Sequence, residues 1–297
     1  MTDFRIGVIG LPGSWSSEAL ADEVEKKTGQ RLLIDMSEAV FDTADRCVMH
    51  RDTNLCELDA LIVKKVGRVY SPDLLDRLEM LHFVESAGVK IFSKPSSIMR
   101  LLDRLSCTVT LRAAGIPLPP TIVTASIDRA VDGIKNFGAA VLKPMFSTKA
   151  RGMKLIEDDG KTDIAAQVKQ FQEEGNPTMY IQKKIEIPGR DLGIVFLGGE
   201  YVGTYARVGN KDSWNTTINS GGHYEAHEPS SEARRLAHRA QALFDLDFTS
   251  VDVVEGKTGP VIFEVSAFGG YHGLKDALGI NAGEKVVNHV LERLKNA

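Results

Sequence analysis

Short apolar runs alternate with polar, helix-like segments over the first 95 residues of the chain. The run FRIGVIG begins at Phe4 and is followed by the loop LPGSWSS and by EALADEVEKKTG, whose final Gly29 is a typical helix C-cap. Further apolar runs stand at RLLIDM, DALIVKKVG and VKIFSKP, with the helix-like SPDLLDRLEMLHFVESAG before the last of them. Strands that alternate with helices are typical of α/β folds, so the pattern predicts one doubly wound unit over residues 1–95.

The pattern changes after residue 95. The segment SSIMRLLDRLSCTVTLRAAG predicts one helix that stops at Gly115, before a proline-rich stretch. Two strands around a polar loop are predicted for AAVLKPMFSTKARGMKLI, then a helix near DIAAQVKQFQEEG and a strand at MYIQKKIE. The remaining sequence is rich in hairpin signals and ends in a predicted helix, Ala282 to Lys295. The 297 residues therefore predict a mixed α/β (α+β) protein of three units, at residues 1–95, 96–185 and 186–297.

Composition and charge narrow the functional classes. The 36 Lys and Arg residues against 40 Asp and Glu give a net charge of -4, which argues against a general nucleic-acid or acidic-membrane surface. The start MTDFRIGVIG lacks a basic segment followed by a long apolar one, and the sequence has no apolar run of about 18 residues. We therefore expect a cytoplasmic protein without a membrane or nucleic-acid partner. Its 3 cysteines lack C-x-x-C spacing and are given no role.

Two carboxylates interrupt neighbouring apolar runs near the carboxyl end. The runs Val251–Val254 and Val261–Val265 flank the turn residues GKTGP and predict a hairpin. Asp252 and Glu264 are equally distant from Thr258, so a hairpin centred there sets them opposite each other, with Cβ atoms about 4.5–5.5 Å apart. Like charges at that distance destabilise the pair unless a cation neutralises them, and oxygen ligands suit Mg²⁺. The alternative is that both carboxylates lie on a solvated face.

A lysine ends a predicted strand beside a small polar loop. Lys143 closes the run AAVLK, and the following loop offers hydroxyl, guanidinium and backbone N–H groups from Ser147, Thr148, Arg151 and Gly152. Such a set suits the oxygens of a polyphosphate. By itself the signal is weak, because a lysine at a strand end is commonly a solvated edge charge.

The order of these features resembles the ATP-grasp superfamily, most closely its ribosomal-S6-modification and glutamate-ligase branch. A helix with a basic residue, a strand lysine, a phosphate loop, the YIQKKI strand and two carboxylates on paired strands follow one another in that family's order. The resemblance runs from Ser97 to Ala297 and rests on the motifs DRLSCTVTLRAAGIPLP, VLKPMFSTKARGM, YIQKKIEIPGRDLGIVFLGGEYVGTYAR, SVDVVEGKTGPVIFEVSAFGGYHGL and GINAGEKVV. It implies an ATP-grasp fold preceded by a Rossmann-like (pre-ATP-grasp) domain.

The resemblance also implies a site, with ATP between two antiparallel sheets. The residues expected to bind ATP are Arg104, Lys143, Ser147, Thr148, Arg151, Gly152, Gln182, Lys183, Lys184, Ile185 and Asp191. Asp252 and Glu264, with Ser266 as a weaker ligand, would hold one or two Mg²⁺ ions, for which Mn²⁺ is a compatible substitute. Arg207 matches the catalytic arginine that the family places near the transferred phosphoryl group; its alternative is a surface strand arginine.

The implied reaction is carboxylate–amine ligation. The γ-phosphoryl group goes to a substrate carboxylate, and an amine then attacks the acyl phosphate to form an amide or peptide bond. The substrates would be an amino acid, a peptide or a small metabolite, and the resemblance is compatible with a homo-oligomer. Two alternatives stay open: an ATP-grasp phosphotransferase that acts on a non-carboxylate acceptor, and a non-catalytic ATP-binding scaffold.

Several positions depart from the family pattern. Arg104 stands where relatives have lysine, and Ser266 stands where they have asparagine. Positions at which relatives have arginine hold Gly193, Asn215 and Ser220, and Thr217 replaces an asparagine. The missing arginines remove positive charge from the place expected for an acidic acceptor, so we expect a changed substrate or lost activity.

Weaker candidates for substrate contact come from three loops. The first glycine loop contributes two of them because relatives place that domain against the active site. The full set is Ser14, Trp15, Asn215, Thr217, Gly269, Gly270 and His272. Glycines in such loops let backbone approach a ligand without a Cβ clash.

Overall fold

The computed structural model describes residues 2–148, 150–210, 216–218 and 221–296. Its first part contains a parallel sheet with flanking helices and a small antiparallel sheet. The elements are β1 (Ile6–Ile9), α1 (Trp15–Thr28), β2 (Leu33–Ile34), β3 (Ala39–Asp42), β4 (Cys47–His50), β5 (Thr53–Asn54), β6 (Ala60–Val63), α2 (Asp73–Ser86) and β7 (Lys90–Phe92).

The parallel sheet has the strand order β2-β1-β6-β7, which confirms the α/β pattern predicted for this part. Helix α1 ends as predicted: Gly29 is left-handed, with φ 78°, and its amide donates to the Glu25 carbonyl at 2.7 Å. The antiparallel sheet β3-β4-β5 is missed by the pattern, because short strands give too few positions for a period to show.

Two helices follow, α3 (Pro95–Leu102) and α4 (Arg104–Ala113), so the prediction of one helix is wrong. Asp103 separates them. Its carboxylate accepts a hydrogen bond from the Ser106 amide at 2.7 Å and caps the N-terminus of α4. This cap places Arg104 at the first position of α4.

A four-stranded antiparallel sheet forms the middle of the chain. Its elements are β8 (Thr121–Thr124), α5 (Ile127–Phe137), β9 (Ala139–Lys143), β10 (Lys154–Glu157), α6 (Ile164–Glu173) and β11 (Met179–Lys183). The strand order is β10-β9-β11-β8, and α5 and α6 pack on it through a separate apolar cluster. The strands, loop and helix predicted here are confirmed.

A five-stranded antiparallel sheet follows, in the order β14-β13-β12-β15-β16. The elements are β12 (Arg190–Leu197), β13 (Glu200–Val208), β14 (His223–Ala226), α7 (Ser231–Gln241), β15 (Phe248–Gly256), β16 (Gly259–Ser266), α8 (Tyr271–Leu278) and α9 (Ala282–Lys295). The last helix has the predicted bounds.

The pairing of β15 with β16 sets Asp252 opposite Glu264, as predicted. The geometry that produces this pair differs from the predicted one. The pair Gly256 and Gly259 closes the turn half a residue before the predicted centre, and this register by itself would set Asp252 opposite Phe263. A β-bulge at Phe263 adds one residue to β16 and restores the carboxylate pair.

The apolar core explains the bulge. Ile262 and Val265 lie three positions apart, so a regular strand would point them to opposite faces. Both are buried, and they pair with Val253 and Val251 on the face that packs against α7. The extra residue lets both side chains stay in the core and leaves Glu264 on the other face of the sheet.

The core joins the first and last parts of the chain. One cluster contains Leu20 and Val24 of α1 together with Val287 and Val290 of α9. The bounds 1–95, 96–185 and 186–297 therefore stay predictions. Within the described residues, no helix has the length and apolar character needed to cross a membrane. The cytoplasmic location likewise stays a prediction from the sequence.

Candidate functional site

One face of the five-stranded sheet carries the charged residues singled out in the sequence. Side chains two positions apart on a strand, and those directly paired across strands, share a face. Register pairs Gly193 with Asp252, and Asp252 with Glu264. The neighbouring row pairs Asp191 with Arg207. The opposite face packs on α7, so the chemistry and the core occupy separate sides of the sheet.

Arg207 joins two carboxylates on this face. Its Nε donates to both oxygens of Asp191, at 3.2 and 3.1 Å, and its Nη2 also bonds Asp191 and reaches Oδ2 of Asp252 at 2.8 Å. The hydroxyl of Thr216 donates to Asp191 as well. Burial alone would lower the pKa of Arg207, but the two carboxylates hold that pKa well above its ordinary value. Arg207 therefore lies in the site rather than on the open surface.

Asp252 is only 21% exposed, so the solvated-face alternative does not describe it. The pKa of Asp252 is raised to about 6, mainly by burial and also by the charges of Asp191 and Glu264, although Arg207 opposes the rise. Burial and the nearby carboxylates make the negative charge of Asp252 unfavourable. A cation that binds beside it would therefore be bound favourably.

Glu264 is paired with the other arginine of the site. Arg104 Nη1 donates to Glu264 Oε2 at 3.2 Å, and Nη2 donates to Ser147 Oγ at 3.2 Å and to the Ser147 carbonyl at 3.4 Å. The Arg104 side chain is 9% exposed and also lies over the Tyr180 ring. Each of the two opposed carboxylates is thus neutralised by an arginine here, which is a source of charge balance that the sequence does not reveal.

Lys143 is buried, so the solvated-edge alternative is wrong. Its Nζ donates to Gln182 Oε1 at 2.6 Å and lies 5.4 Å from the centre of the Phe263 ring. Burial, assisted by the charge of Arg104, lowers the pKa of Lys143 to about 7. A phosphate placed beside this amine would restore its charge, because a nearby anion favours the protonated form.

The loop between β9 and β10 is held by its own side chains. Arg151 Nη2 donates to Thr148 Oγ1 at 2.8 Å, and Nε donates to the Thr148 carbonyl at 3.2 Å. Gly152 has φ 69°, and a Cβ there would lie 3.0 Å from the Pro144 ring. Ser147 lies at the start of this loop, where it contacts Arg104. The loop is therefore folded back over the end of β9, beside Lys143.

The end of β11 and the residues after it, which are expected to bind ATP, use some of their amides in hydrogen bonds within the protein. The amide of Lys183 donates to the Pro120 carbonyl at 2.8 Å, and that of Lys184 donates to the Ala139 carbonyl at 2.9 Å. Within the described residues the Ile185 amide forms no hydrogen bond. Of these three amides, that of Ile185 is the one available to a ligand.

The glycine loop after β16 packs against the sheet. A Cβ at Gly269 would lie 2.1 Å from Ser250 Oγ, and Gly270 has φ 92° at the N-terminus of α8. Ser266 Oγ accepts a hydrogen bond from the Phe268 amide at 3.3 Å. These glycines are required by contacts within the protein, whether or not a ligand also approaches them.

Helix α1, which follows the first glycine loop, contacts α8 through its first residue, Trp15. The rings of Trp15 and His272 have centroids 4.4 Å apart, and Lys275 Nζ lies 4.4 Å from the indole centre. Ser14 Oγ accepts a hydrogen bond from Lys65 Nζ at 2.9 Å. Trp15 and His272 are therefore neighbours in the structure, although they lie 257 positions apart in the sequence.

Of the two remaining substrate candidates, Thr217 lies in the segment between β13 and β14. The Thr217 carbonyl accepts a hydrogen bond from the Gly222 amide at 3.2 Å. Its neighbour Thr216, which the sequence did not single out, is the residue that reaches Asp191. Asn215 lies outside the described residues.

The donor chemistry around Asp252 and Glu264 fits Mg²⁺. In the described part of the chain no group of three or more His, Cys, Asp or Glu residues is placed to hold a metal ion. Mg²⁺ usually takes one or two carboxylates and completes its coordination with water and substrate phosphates. Two oxygen donors on one sheet face, beside Lys143, match that mode rather than a site made of protein ligands alone.

Two residues of this region were missed from the sequence. Lys64 is buried at the end of β6, with Nζ donating to the Phe268 carbonyl at 2.5 Å and lying 4.3 Å from the Tyr271 ring centre. It links the first sheet to the glycine loop, and local sequence carries no signal of that contact. Tyr205 lies two positions before Arg207 on β13, so strand alternation could have placed it on the charged face.

Comparisons with known proteins identify relatives and fold neighbours. Residues 102–290 match the model of the RimK-like ATP-grasp domain. The chain is 28% identical to the tetrahydromethanopterin:alpha-L-glutamate ligase of Methanosarcina acetivorans, over 98% of this chain and 99% of that protein. It is also 28% identical to the glutamate–LysW ligase ArgX of Sulfolobus acidocaldarius, over 70% of this chain and 74% of that protein.

Among solved structures, the ATP-grasp ligase PsnB complexed with minimal precursor, Mg and ADP superposes with a TM-score of 0.73. The sequence identity is 16%, and the alignment covers 99% of each chain. The predicted ATP-grasp fold is confirmed by this likeness.

Proposed function

The chain belongs to the RimK-like ATP-grasp family, and on this premise we propose that it is an ATP- and Mg²⁺-dependent ligase that joins a carboxylate to an amine. The observation that carries the proposal is the shared sheet face of Asp252, Glu264 and Arg207, with Lys143 beside it. This arrangement brings metal-binding oxygens and two kinds of cation to one place, as phosphoryl transfer requires.

ATP would lie between the four-stranded and five-stranded sheets. The Ile185 amide would donate to adenine, while Lys143 and Arg104 would contact the phosphates. Gln182 supports this role because its side-chain oxygen fixes the Lys143 amine. Ser147, Thr148, Arg151 and Gly152 form the loop that would lie over the phosphates, and Asp191 would act through Arg207.

Asp252 and Glu264 would hold one or two Mg²⁺ ions, with Ser266 as a further oxygen donor. Bound Mg²⁺ offsets the negative charge of the phosphate oxygens. For Glu264 to ligate, the guanidinium of Arg104 must share or release it, and the phosphates supply the replacement partner. Arg207 would remain beside Asp252 and stabilise charge on the transferred phosphoryl group.

The reaction would proceed in two steps. A substrate carboxylate oxygen bonds to the γ-phosphorus of ATP as the bond to ADP breaks, giving an acyl phosphate. An amine then attacks the acyl carbon, loses a proton and expels phosphate, which leaves an amide. Phosphorylation is needed because hydroxide is a poor leaving group, whereas phosphate is a good one. The surface formed by Trp15, His272 and Ser14 would bind part of the acceptor, with Gly269 and Gly270 between it and the metal residues in the sequence.

The relatives suggest the substrate class. Two are named as ligases that use glutamate, one with tetrahydromethanopterin and one with LysW. We propose an amino acid as the amine, and a carboxylate of a small metabolite or peptide as the acceptor. The lost arginines at positions 193 and 215 favour an acceptor with less negative charge than glutamate.

The test is a screen for ADP release with Mg²⁺ and ATP. Amino acids, dipeptides and carboxylate metabolites are offered in pairs, and the products are identified by mass spectrometry. Hydroxylamine is added in parallel, because it traps an acyl phosphate as a hydroxamate. We expect acceptor-dependent ADP release with amide and hydroxamate formation. ADP release with a phosphorylated hydroxyl product would favour a phosphotransferase, and no turnover with any acceptor would favour the scaffold.

The matched variants are Glu264→Gln and Glu173→Gln. The first removes the charge of a proposed metal ligand, and we expect it to lose Mg²⁺-dependent turnover while the fold is kept. The second removes a charge from α6, where the side chain is 66% exposed, and we expect unchanged turnover. Normal turnover of Glu264→Gln would contradict the proposed metal site.

A further inference from the structure

The five-stranded sheet has a residue without a side chain in the middle of its charged face. Gly193 on β12 pairs with Tyr205 on β13 and with Asp252 on β15. A side chain at position 193 would therefore stand between them. Instead the Tyr205 ring fills that space: a Cβ at Gly193 would lie 2.2 Å from Cζ of the ring and 2.5 Å from the hydroxyl oxygen.

Helix α8 closes the slot from the other side. A Cβ at Gly273 would lie 2.4 Å from both Cδ1 and Cε1 of Tyr205. The ring is buried and meets the Tyr224 ring edge-on, with centroids 5.3 Å apart. Two glycines thus leave a gap one ring thick, and the ring lies flat across β12 with its hydroxyl directed towards β15. Gly193 pairs with Asp252 on β15, and the charge of Asp252 acts on the Tyr205 phenol.

The hydroxyl is placed to meet a ligand. No described residue forms a hydrogen bond with it, so within the described part of the chain its O–H has no acceptor. Burial raises the pKa of the Tyr205 phenol, so the group keeps its proton at neutral pH and can donate it. Arg207 and Asp252 are the charged groups nearest to it on this face.

We propose that Tyr205 is a specificity-determining residue of the acceptor site, where its hydroxyl donates a hydrogen bond to the substrate carboxylate from the place that an arginine would occupy at position 193. This inference rests on the proposed function. A neutral donor held by Gly193 and Gly273 satisfies one carboxylate oxygen and adds no positive charge. The site therefore selects a carboxylate without a second negative group beside it.

The alternative is that Tyr205 acts only through packing, and Tyr205→Phe separates the two cases because it keeps the ring. The probes are the acceptors found by the ADP-release screen, together with the pairs glutamine and glutamate, and asparagine and aspartate, each free and N-acetylated. We expect wild type to prefer the amide member of each pair. In Tyr205→Phe we expect kcat/KM for the acceptor to fall about 10- to 100-fold, the range for a lost hydrogen bond to a charged group, with KM for ATP unchanged.

Tyr201→Phe is the matched control. Tyr201 lies on the same strand, but the bulge between Val195 and Phe196 turns it towards α7, where Arg234 lies over its ring. We expect this variant to stay within twofold of wild type. A second variant combines Gly193→Arg with Tyr205→Ala, and we expect it to shift preference towards the dicarboxylate member of each pair.

The outcomes separate this inference from the function on which it rests. If none of the acceptors stimulates ADP release by wild type, the proposed function and the inference are both refuted. If wild type turns over and Tyr205→Phe matches it within twofold, only the role of the Tyr205 hydroxyl is refuted. A loss in Tyr205→Phe that appears equally in KM for ATP would also refute it, because a damaged site rather than a lost acceptor contact would then be the cause.

Discussion

Two carboxylates that share one arginine are expected to have opposite effects on stability. Arg207 bonds both Asp191 and Asp252, and burial is the main cause of the raised pKa of Asp252. We expect Asp252→Asn to stabilise the metal-free protein, because it removes a charge that burial disfavours. We expect Asp191→Asn to destabilise it, because Asp191 is 4% exposed and holds Arg207 through several hydrogen bonds.

The magnitude for Asp252 follows from its pKa. A carboxyl pKa raised from 3.8 to about 6 corresponds to a penalty of up to about 3 kcal/mol. The folded state binds the proton more tightly than the unfolded state, so the penalty is absent below the unfolded pKa and complete above the folded pKa. The stability gained in Asp252→Asn should therefore grow between about pH 4 and pH 6 and stay constant above. For Asp191→Asn, a lost hydrogen bond to a charged group gives a loss of about 1.5–3 kcal/mol.

Urea unfolding followed by circular dichroism tests both signs, with EDTA present so that no metal ion binds. Measurements at pH 5 and pH 8 compare each variant with wild type. The gain in Asp252→Asn should be about half as large at pH 5 as at pH 8. The reasoning is refuted if Asp252→Asn loses stability at pH 8, or if its difference from wild type is the same at both pH values.

Three further substitutions test other parts of the structure. Lys64→Met should stabilise the metal-free protein at pH 7, because burial lowers the pKa of Lys64 to about 7. The gain in stability should fade as the pH rises from about 7 to 10.5. Turnover should fall, because the hydrogen bond to the Phe268 carbonyl is lost. Thermal unfolding across that pH range and ADP release measure the two effects, and a gain that does not fade would contradict the first. Asp103→Ala should lower stability by about 1 kcal/mol, the usual cost of a lost N-cap, and should raise KM for ATP by loosening Arg104; unchanged values of both would argue against the cap. Trp15→Ala should raise KM for the acceptor about 10-fold, as expected for a lost aromatic contact of about 1–1.5 kcal/mol. KM for ATP should be unchanged. An equal rise in both constants would argue against a contact between Trp15 and the acceptor.

The sequence predicted the parts of the structure whose geometry depends on residues that are close together along the chain. The strand that ends at Lys143 and the loop after it are both present where the pattern puts them. The helix Ala282–Lys295 has the predicted bounds, and Gly29 caps α1. Such features are readable because hydrophobic period, turn chemistry and capping act over a few residues.

The break at Asp103 has a local signal in the sequence. Asp103 followed by Ser106 is a capping signal, but the leucines on either side continue an apolar face across it. The three short strands from Ala39 to Asn54 gave no usable period. At Asp103 a local signal exists but is weaker than the pattern around it, whereas each of the short strands has too few positions for a period to show.

The carboxylate pair shows where sequence stops and tertiary structure begins. The residue types and the hairpin are properties of the sequence, and they place Asp252 near Glu264. The side on which Glu264 points was decided by Ile262 and Val265, which both entered the core and forced a bulge at Phe263. The burial of Ile262 and Val265 against helix α7 is a long-range effect. Local sequence rules therefore do not predict the bulge.

By itself, the sequence determined many of the elements, the family and the chemical character of the site residues, because these depend on residue type and short spacing. Tertiary structure alone decided that arginines from different elements neutralise Asp252 and Glu264, that Lys64 reaches the glycine loop, and that Tyr205 lies flat over Gly193. Each of these contacts joins residues that are far apart in the chain or on different strands. The energy that fixes them comes from burial and charge pairing, which exist only after the chain has folded.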